Sequence, residues 1–310
     1  MKIFNHISDC KNLKNPVLTL GMYDGVHLGH QKIIQKLNEI ASEVDGESVL
    51  LTFEPHPRIT LNKGADSLQL ITTLDEKIEL LRDYGLKNLI LHPFTKEFSE
   101  LSATDFVKNL LVDQIQIHTI VIGYDHHFGK GRQGNYELLD ELSTQFNYNC
   151  VQIEEVKSDQ LHISSTKIRN ALLKGEIDLA NQGLNRFFSL KGKVVHGDKL
   201  GRTLGFPTAN LSTEKYKLIP ADGVYVVRVF LKNEIFKGLL SIGNRPTVTD
   251  SNEKRVEVFL LDFDREIYSE ELKIEFHHKI RDDLKFESIE ALVEQMNKDK
   301  DFAIQYQFIS

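Results

Sequence analysis

The amino-acid sequence predicts two domains of different class: an N-terminal α/β domain with a parallel sheet, and a C-terminal antiparallel β-barrel with a closing helix. Up to about residue 185, short apolar runs alternate with segments that have the spacing of amphipathic helices. After Phe188 the chain becomes rich in Val, Ile, Phe and Tyr, and short polar turns separate the apolar runs. Alternating strands and helices indicate βαβ units, whereas closely spaced strands indicate a barrel or sandwich.

The N-terminal part contains five apolar runs that are typical of strands. They are Val17 to Leu20, Ser48 to Phe53, Asn88 to Leu91, Thr119 to Ile122 and Val151 to Val156. The intervening segments carry apolar residues at helical spacing. We therefore expect helices over Ile33 to Val44, Leu74 to Tyr84, Ala103 to Gln114 and Tyr136 to Phe146.

The C-terminal part contains strand patterns and one final helix. The strands are expected at Gly192 to Val195, Val224 to Leu231, Ile235 to Ile242, Arg255 to Leu261 and Leu272 to Phe276. Ile289, Leu292, Val293 and Met296 fall on one face of the helix. The change of pattern between Gln182 and Phe188 predicts domains over residues 1–185 and 186–310.

Length and composition limit the classes of function. A chain of 310 residues is long enough for two separate cores, and 41% hydrophobic with 27% charged residues is typical of soluble globular proteins. The net charge of -7 disfavours non-specific nucleic-acid binding, which needs excess basic charge. We therefore expect small-molecule substrates, with neither nucleic acid nor a membrane as a partner.

Two absences predict a cytoplasmic location. The N-terminal residues lack the apolar core of a secretory signal, and no apolar stretch approaches the roughly 20 residues needed to span a bilayer. The two cysteines, Cys10 and Cys150, fit neither a metal motif nor a disulfide framework. Free thiols in a reducing compartment are the simplest interpretation.

The stretch GMYDGVHLGH, residues 21–30, is the first candidate site. It lies between a predicted strand and a predicted helix, the position where open parallel sheets bind ligands and where free N–H groups favour an anion. Gly25 and Gly29 would let a phosphate approach the backbone, and His27 and His30 would donate hydrogen bonds to its oxygens. The alternative is that the glycines serve turn geometry and the histidines are solvated.

The stretch ISSTKIR, residues 163–169, opens another predicted helix. Ser165 and Thr166 would serve as simple N-caps, which is a common use of these residues. Hydroxyls, free N–H groups and Arg169 one turn later also suit a triphosphate.

A third glycine-rich stretch follows the strand Gly192 to Val195. Residues 196–210, HGDKLGRTLGFPTAN, do not form a P-loop, because GxxxxGK[ST] is absent and no helical pattern follows. A hairpin rich in turn residues is the structural alternative. Thr208 and Asn210 lie two residues apart, so an extended chain projects both oxygens to one side, where they suit Mg²⁺.

One acidic residue, Glu257, interrupts an apolar strand. Alternation places it on the face opposite Val256 and Val258. That pattern fits a catalytic carboxylate, and it also fits a solvated position on the exposed face of a strand.

The two N-terminal motifs together resemble the HxGH nucleotidyltransferases, specifically the adenylyltransferase half of bifunctional riboflavin kinase/FAD synthetases. TFEPHP at 52–57 and GYDHHFG at 123–129 match the same half. The resemblance implies a Rossmann-like fold and transfer of AMP from ATP to FMN, with His27, His30 and Arg169 as catalytic residues. The implied nucleotide-binding residues are Gly21, Asp24, Gly25, Gly29, Ser165 and Thr166. The implied flavin-binding residues are Phe53, Pro55, His56 and Asp125.

Two positions depart from that family pattern. Tyr23 stands where Phe is usual, and His126-His127 stands within a stretch that often reads Asp-Phe-x-Phe-Gly.

The C-terminal loop resembles the riboflavin kinase module through GDKxGRxxGFPTAN. The resemblance continues in residues 222–225, 241–247, 256–258 and 280–281, and in Phe286. It implies phosphorylation of riboflavin by ATP, with Mg²⁺ on Thr208 and Asn210 and with Glu257 as the general base. It implies further that Gly197, Lys199 and Gly201 bind the ATP phosphates and that Arg281 lies in a flap near the flavin.

Two other functions stay open at this point. One is a nucleotidyltransferase with a different acceptor, such as a pantetheine or cytidyl compound, and with the barrel as an accessory. The other is a barrel that binds nucleic acid or protein, which the acidic balance and the lack of a basic cluster interleaved with aromatic residues disfavour.

Overall fold

The chain folds as two units, Met1–Ser164 and Ser165–Ser310. The structure is a computed structural model that describes residues 1–62, 64, 67–154, 157–158, 161–197, 200–244 and 254–308. The domain limits predicted from sequence, 1–185 and 186–310, stay a prediction.

The first unit is built on a six-stranded parallel sheet. Its strands are β1 (Lys2–Phe4), β2 (Val17–Leu20), β3 (Ser48–Phe53), β4 (Asn88–His92), β5 (Thr119–Gly123) and β6 (Asn149–Ile153). Their order is β1-β4-β3-β2-β5-β6, and every neighbouring pair is parallel. Two short strands, β7 (Lys157–Ser158) and β8 (Leu161–His162), pair separately. Residues 155 and 156 of the last predicted strand lie outside the described residues.

Apolar residues cover both faces of the sheet. Successive residues of one strand belong to different cores: Leu50 lies in one cluster, and Val49 and Leu51 lie in the other. A parallel sheet that is buried on both faces needs continuous apolar runs, which is why β2 to β5 were visible in the sequence. β1 was missed because it has three residues, two of them exposed.

The four helices predicted for the first unit are present with one difference, and two further short helices were not predicted. They are α1 (Leu28–Glu43), α2 (Pro57–Thr60), α3 (Leu74–Asp83), α4 (Lys96–Ser99), α5 (Ala103–Asp105) and α6 (Tyr136–Phe146), with single 3₁₀ turns at Ile7–Asp9 and Lys130–Arg132. The expected α-helix over 103–114 is instead α5 continued by a π-helix, Phe106–Ile115. The wider i→i+5 bonding is rare, and a single sequence gives no signal for it.

The second unit contains a closed antiparallel barrel. Its strands are β9 (Ser189–Val195), β10 (Ala209–Ser212), β11 (Gly223–Leu231), β12 (Glu234–Asn244), β13 (Lys254–Leu260) and β14 (Glu271–Arg281), in the order β10-β13-β12-β11-β14-β9. Because β9 pairs with both β14 and β10, the barrel closes without an open edge. Its helices are α7 (Ser165–Lys174), α8 (Ile177–Leu184), α9 (Leu200–Thr203) and α10 (Ile289–Gln305).

Helix α10 packs on the outer face of the barrel. Ala303 lies in one cluster with Val224 and Val226 of β11. Tyr225, which alternates with those valines and is fully buried, therefore points to the interior. The closing helix was predicted, and of the residues on its predicted apolar face Ile289 is 62% exposed.

His277 on β14 is a buried titratable residue of the second unit. Its ring packs against Phe187 at 3.8 Å and against Phe308 at 4.3 Å between ring centroids. Burial, assisted by the positive charge of Arg228, lowers the pKa of His277 from 6.5 to about 4. The imidazole is therefore neutral at neutral pH.

Candidate functional site

The first candidate site lies at the carboxyl ends of β2 and β5. β3 and β4 lie on one side of β2, and β5 and β6 lie on the other, so the strand order reverses between β2 and β5. β2 pairs with β3 through four residues but with β5 only through Val17 and Leu18. The ends of the two strands therefore separate, and such a crevice is where open α/β sheets bind ligands.

The loop between β2 and α1 is held by Asp24. Its Oδ1 accepts hydrogen bonds from the backbone N–H groups of Ile71 (2.9 Å) and Thr72 (3.1 Å). The N–H of Gly25 donates to Thr72 Oγ1 at 3.0 Å. Asp24 thus anchors this loop to the segment before α3, and its predicted contact with the nucleotide stays a prediction.

The same loop has a strained backbone. Tyr23 (φ +50°) and Val26 (φ +39°) lie in the left-handed region, which is a genuine outlier for a β-branched residue such as valine. Strain of this kind costs on the order of 1–3 kcal/mol for each residue and is found mainly at functional sites. The anchoring by Asp24 helps to maintain this conformation.

The two predicted histidines form a stack at the start of α1. The ring centroids of His27 and His30 are 3.7 Å apart, and those of His30 and Tyr23 are 4.4 Å apart. His27 is the N-cap of α1, and its Nδ1 accepts the N–H of His30 at 3.4 Å. In the neutral ring the proton is therefore on Nε2, which is left as a donor.

Gly29 lies close against the His27 ring. A Cβ at position 29 would lie 3.2 Å from the Cε1 and Nδ1 atoms of His27. The sequence predicted that Gly29 allows close approach of a phosphate, and the structure gives it a second use, since it lets the imidazole lie against the helix start.

Aromatic rings surround the end of β3. Phe53 packs against Phe94 and Phe98, with ring centroids 5.3 Å and 5.2 Å apart. The Glu54–Pro55 peptide bond is cis. His56 is the N-cap of α2 and accepts the N–H of Arg58 at 3.1 Å. The predicted flavin-binding roles of Phe53, Pro55 and His56 stay predictions.

The loop after β5 contains Asp125 and His126, two residues of the stretch predicted to contact the flavin, in different environments. Asp125 is exposed. The His126 ring lies nearly parallel to the ring of Phe128 at 6.3 Å between centroids, and the backbone N–H of His126 donates to Gly123 O at 3.3 Å. Burial lowers the pKa of His126 to about 4, so this position holds a neutral imidazole where the family pattern has phenylalanine.

The ISSTKIR residues open α7 in the second unit. Ser165 begins the helix, Thr166 is exposed, and Arg169 is half-buried one turn later. Their predicted contacts with a triphosphate stay predictions.

The second candidate site lies where β10 pairs with β13. Asn210 and Glu257 are direct partners in this pairing. Thr208 Oγ1 donates to Glu257 Oε2 at 3.1 Å. Arg255 Nε forms an ion pair with Glu257 Oε1 at 2.5 Å and donates a hydrogen bond to Asn210 Oδ1 at 3.2 Å. All four side chains therefore form one polar cluster.

Glu257 is not a solvated strand residue. Its side chain is 22% exposed, and Val256 and Val258 on the other face of β13 are buried. A carboxylate that is half-buried, accepts a hydrogen bond and forms an ion pair is held in one orientation, which a general base requires.

Two predicted phosphate-binding glycines are fixed by close contacts. A Cβ at Gly197 would lie 2.1 Å from Asn210 Nδ2, and one at Gly201 would lie 2.3 Å from Phe206 O. Real Cβ atoms do not come this close, so neither position tolerates a side chain without movement. Lys199, the third residue of that prediction, lies outside the described residues.

Two family models match consecutive parts of the chain. The model described as FAD synthetase matches residues 9–167, and the model described as riboflavin kinase matches residues 184–307. The bifunctional riboflavin kinase/FMN adenylyltransferase of Listeria monocytogenes is 40% identical over 287 residues, which cover 92% of this chain and 90% of the relative. The Bacillus subtilis protein of the same name is 37% identical over 293 residues, which cover 94% of this chain and 92% of the relative.

The chain belongs to the bifunctional riboflavin kinase/FMN adenylyltransferase family. This confirms the family, the two-part fold class and the enzyme class predicted from sequence. A solved structure described as a macrolide-efflux protein from Streptococcus pneumoniae superposes with a TM-score of 0.90 at 32% identity, covering 98% of this chain and 99% of that one. In the part of the chain that the structure describes, no helix is long and apolar enough to cross a membrane.

Arg281 has a partner within the second unit. Its Nε and Nη2 donate to the carboxylate of Asp299, which is 3% exposed, at distances of 2.8–3.2 Å. Asp299 also accepts from Gln295 at 2.8 Å. The guanidinium therefore ties the end of β14 to α10, and its predicted contact with the flavin stays a prediction.

Two residues at the sites were missed from sequence. The only signal for Arg255 in the sequence was that it lies two residues before Glu257 on the same predicted strand. Lys77 is buried on α3, where burial lowers its pKa while the charges of Asp24 and Glu54 act in the opposite direction. Nothing in the amphipathic pattern of α3 distinguishes this lysine from a solvated one.

Proposed function

We propose that this chain catalyses two consecutive ATP-dependent reactions on a flavin. The barrel transfers the γ-phosphoryl group of ATP to riboflavin, which yields FMN and ADP. The first unit transfers AMP from a second ATP to FMN, which yields FAD and pyrophosphate. The observation that carries this proposal is that the FAD synthetase and riboflavin kinase family models match adjacent parts of one chain.

In the kinase step, Glu257 acts as the general base. It takes the proton of the ribityl 5′-hydroxyl as the new O–P bond forms and the bond to ADP breaks. The orientation of its carboxylate, held by Thr208 and Arg255, supports this role because a base must lie within hydrogen-bond reach of the proton it removes. Gly197 and Gly201 leave the backbone open to phosphate oxygens, and Lys199 would contribute a positive charge.

The polar cluster also suits Mg²⁺. Thr208 Oγ1 and Asn210 Oδ1 are hard oxygen donors that meet beside one carboxylate, and the described residues contain no group of three or more His, Cys, Asp or Glu side chains that would favour another metal. Mg²⁺ typically uses few protein ligands and completes its shell with phosphates and water. Bound there, it would neutralise charge on the ATP phosphates.

In the adenylyltransferase step, the stacked histidines stabilise charge. A phosphate oxygen of FMN attacks the α-phosphorus of ATP, and pyrophosphate leaves. Nε2–H of His27 acts as a donor in this chemistry, His30 acts beside it, and the dipole at the N-terminus of α1 favours negative charge. The burial of His27 excludes water, which strengthens each of these interactions.

Purified protein incubated with riboflavin, ATP and Mg²⁺ tests this proposal. Chromatography of samples taken over time should show FMN first and FAD second. A reaction that starts from FMN should give FAD alone. If riboflavin is unchanged and added FMN is unchanged, the proposal is wrong.

A further inference from the structure

The arginine beside the proposed base contacts more than the carboxylate of that base. Arg255 and Glu257 alternate with buried valines on β13, so both side chains lie on the same face of the strand. Asn210 pairs directly with Glu257 across β10, which makes Arg255 its diagonal neighbour. The strand register alone therefore brings one cation, one carboxylate and one amide together.

A single nitrogen atom joins the two functional groups. Nε of Arg255 lies 2.5 Å from Glu257 Oε1 and 3.2 Å from Asn210 Oδ1. The contact with the carboxylate is an ion pair, and the single N–H of this nitrogen donates to the amide oxygen. Without this ion pair, the Glu257 carboxylate would still accept the hydrogen bond from Thr208 but would lose its contact with the guanidinium.

Burial gives this contact a larger effect than an ordinary surface pair. The side chains of Arg255 and Glu257 are 28% and 22% exposed, whereas fully solvated ion pairs contribute little. The planar guanidinium also fixes the direction of its N–H, which a lysine ammonium does not. Arg255 thus sets the direction of both neighbouring side chains.

We propose that Arg255 is a positioning residue for the kinase step, one that holds the Glu257 carboxylate and the Asn210 amide toward the same reacting centre. The inference rests on the proposed function, since it assigns to Arg255 the orientation of the base and of a metal-binding oxygen. Loss of a residue that orients a functional side chain typically costs roughly 10- to 100-fold in activity.

The test compares Arg255→Met with Arg228→Met in the full chain. Arg228 is buried to a similar extent and forms a looser pair with Glu275 at 4.0 Å, with side chains 25% and 16% exposed, between β11 and β14 and away from Glu257. Arg255→Met should lower kcat for FMN formation roughly 10- to 100-fold with little change in the KM for riboflavin, and Arg255→Lys should recover part of it. Arg228→Met should keep the wild-type kcat, and both methionine variants should convert added FMN to FAD normally.

A crystal structure and a double variant separate positioning from a structural role. In Arg255→Met the Glu257 carboxylate and Asn210 amide should turn away from their present directions, and adding Glu257→Gln should lower kcat no further than Glu257→Gln alone, because both changes disable one base. Equal kcat losses in the Arg255→Met and Arg228→Met variants, unchanged side-chain directions, or multiplied losses in the double variant would each overturn the inference. If the wild-type chain makes no FMN, the proposed function has failed instead.

Discussion

Replacing Gly197 by alanine should separate the two activities. The φ angle of Gly197 lies outside the left-handed region, so its backbone accepts alanine, but the new Cβ would lie 2.1 Å from Nδ2 and 2.5 Å from Cγ of Asn210. Non-bonded carbon contacts normally occur at about 3.5–4.0 Å. The amide of Asn210 must therefore move by about 1 Å or more.

A displacement of this size predicts a large kinase defect. A misplacement of about 1 Å at a catalytic group can reduce the rate about 100-fold. Overpacking of the loop should also lower the free energy of unfolding by about 1–3 kcal/mol. We expect kcat for FMN formation to fall about 100-fold, while conversion of added FMN to FAD keeps its wild-type rate.

Gly205→Ala is the matched control for this prediction. Gly205 lies in the same loop with φ +82°, and nothing lies within 4 Å of its added Cβ. Alanine there should cost about 1–2 kcal/mol through the left-handed backbone, without displacing Asn210. Steady-state kinetics and thermal unfolding of both variants decide the matter. Equal kinase losses in the two variants, or a wild-type kcat in Gly197→Ala, would refute the argument from the Asn210 contact.

Three further changes test other parts of the account. His30→Ala should reduce FAD formation from FMN about 100-fold and leave FMN formation intact; loss of both activities would contradict separate sites. Glu257→Gln should lower kcat for FMN formation by about 10²- to 10⁴-fold, and a near-normal rate would remove the base assignment. The pKa of His277 is about 4 in the folded chain and near 6.5 in the unfolded chain, so the unfolded chain takes up a proton first as the pH falls. The free energy of unfolding should therefore decrease between pH 6.5 and pH 4, by at most about 3 kcal/mol. His277→Phe should flatten this dependence in urea unfolding at pH 7 and pH 4.5, and an unchanged slope would contradict it.

Local patterns predicted the elements that carry the sites. The apolar run 17–20 and the helical spacing after Ile33 placed the first loop between β2 and α1, because burial on both sheet faces leaves a clear signal in the sequence. The strand patterns at 224–231 and 255–261 likewise placed Glu257 in the barrel wall. Both predictions depend on short-range periodicity, which one sequence contains.

The contacts that complete each site depend on residues far apart in the chain. The Asp24 carboxylate anchors a loop 47 residues away at Ile71, and Arg255 reaches Asn210 across 45 residues. Arg281 forms its salt bridge with Asp299 because α10 packs on the barrel. No spacing rule connects such pairs, so their roles became visible only in the folded chain.

The most direct test of the central claim follows two phosphorus labels through the reaction. Purified protein is incubated with riboflavin, Mg²⁺ and ATP labelled either at the γ- or at the α-phosphate, and the flavins are separated by chromatography. The account predicts γ-label in FMN and then in FAD, and α-label in FAD alone. Label from the α-position in FMN, or FAD that lacks the γ-label, would contradict it.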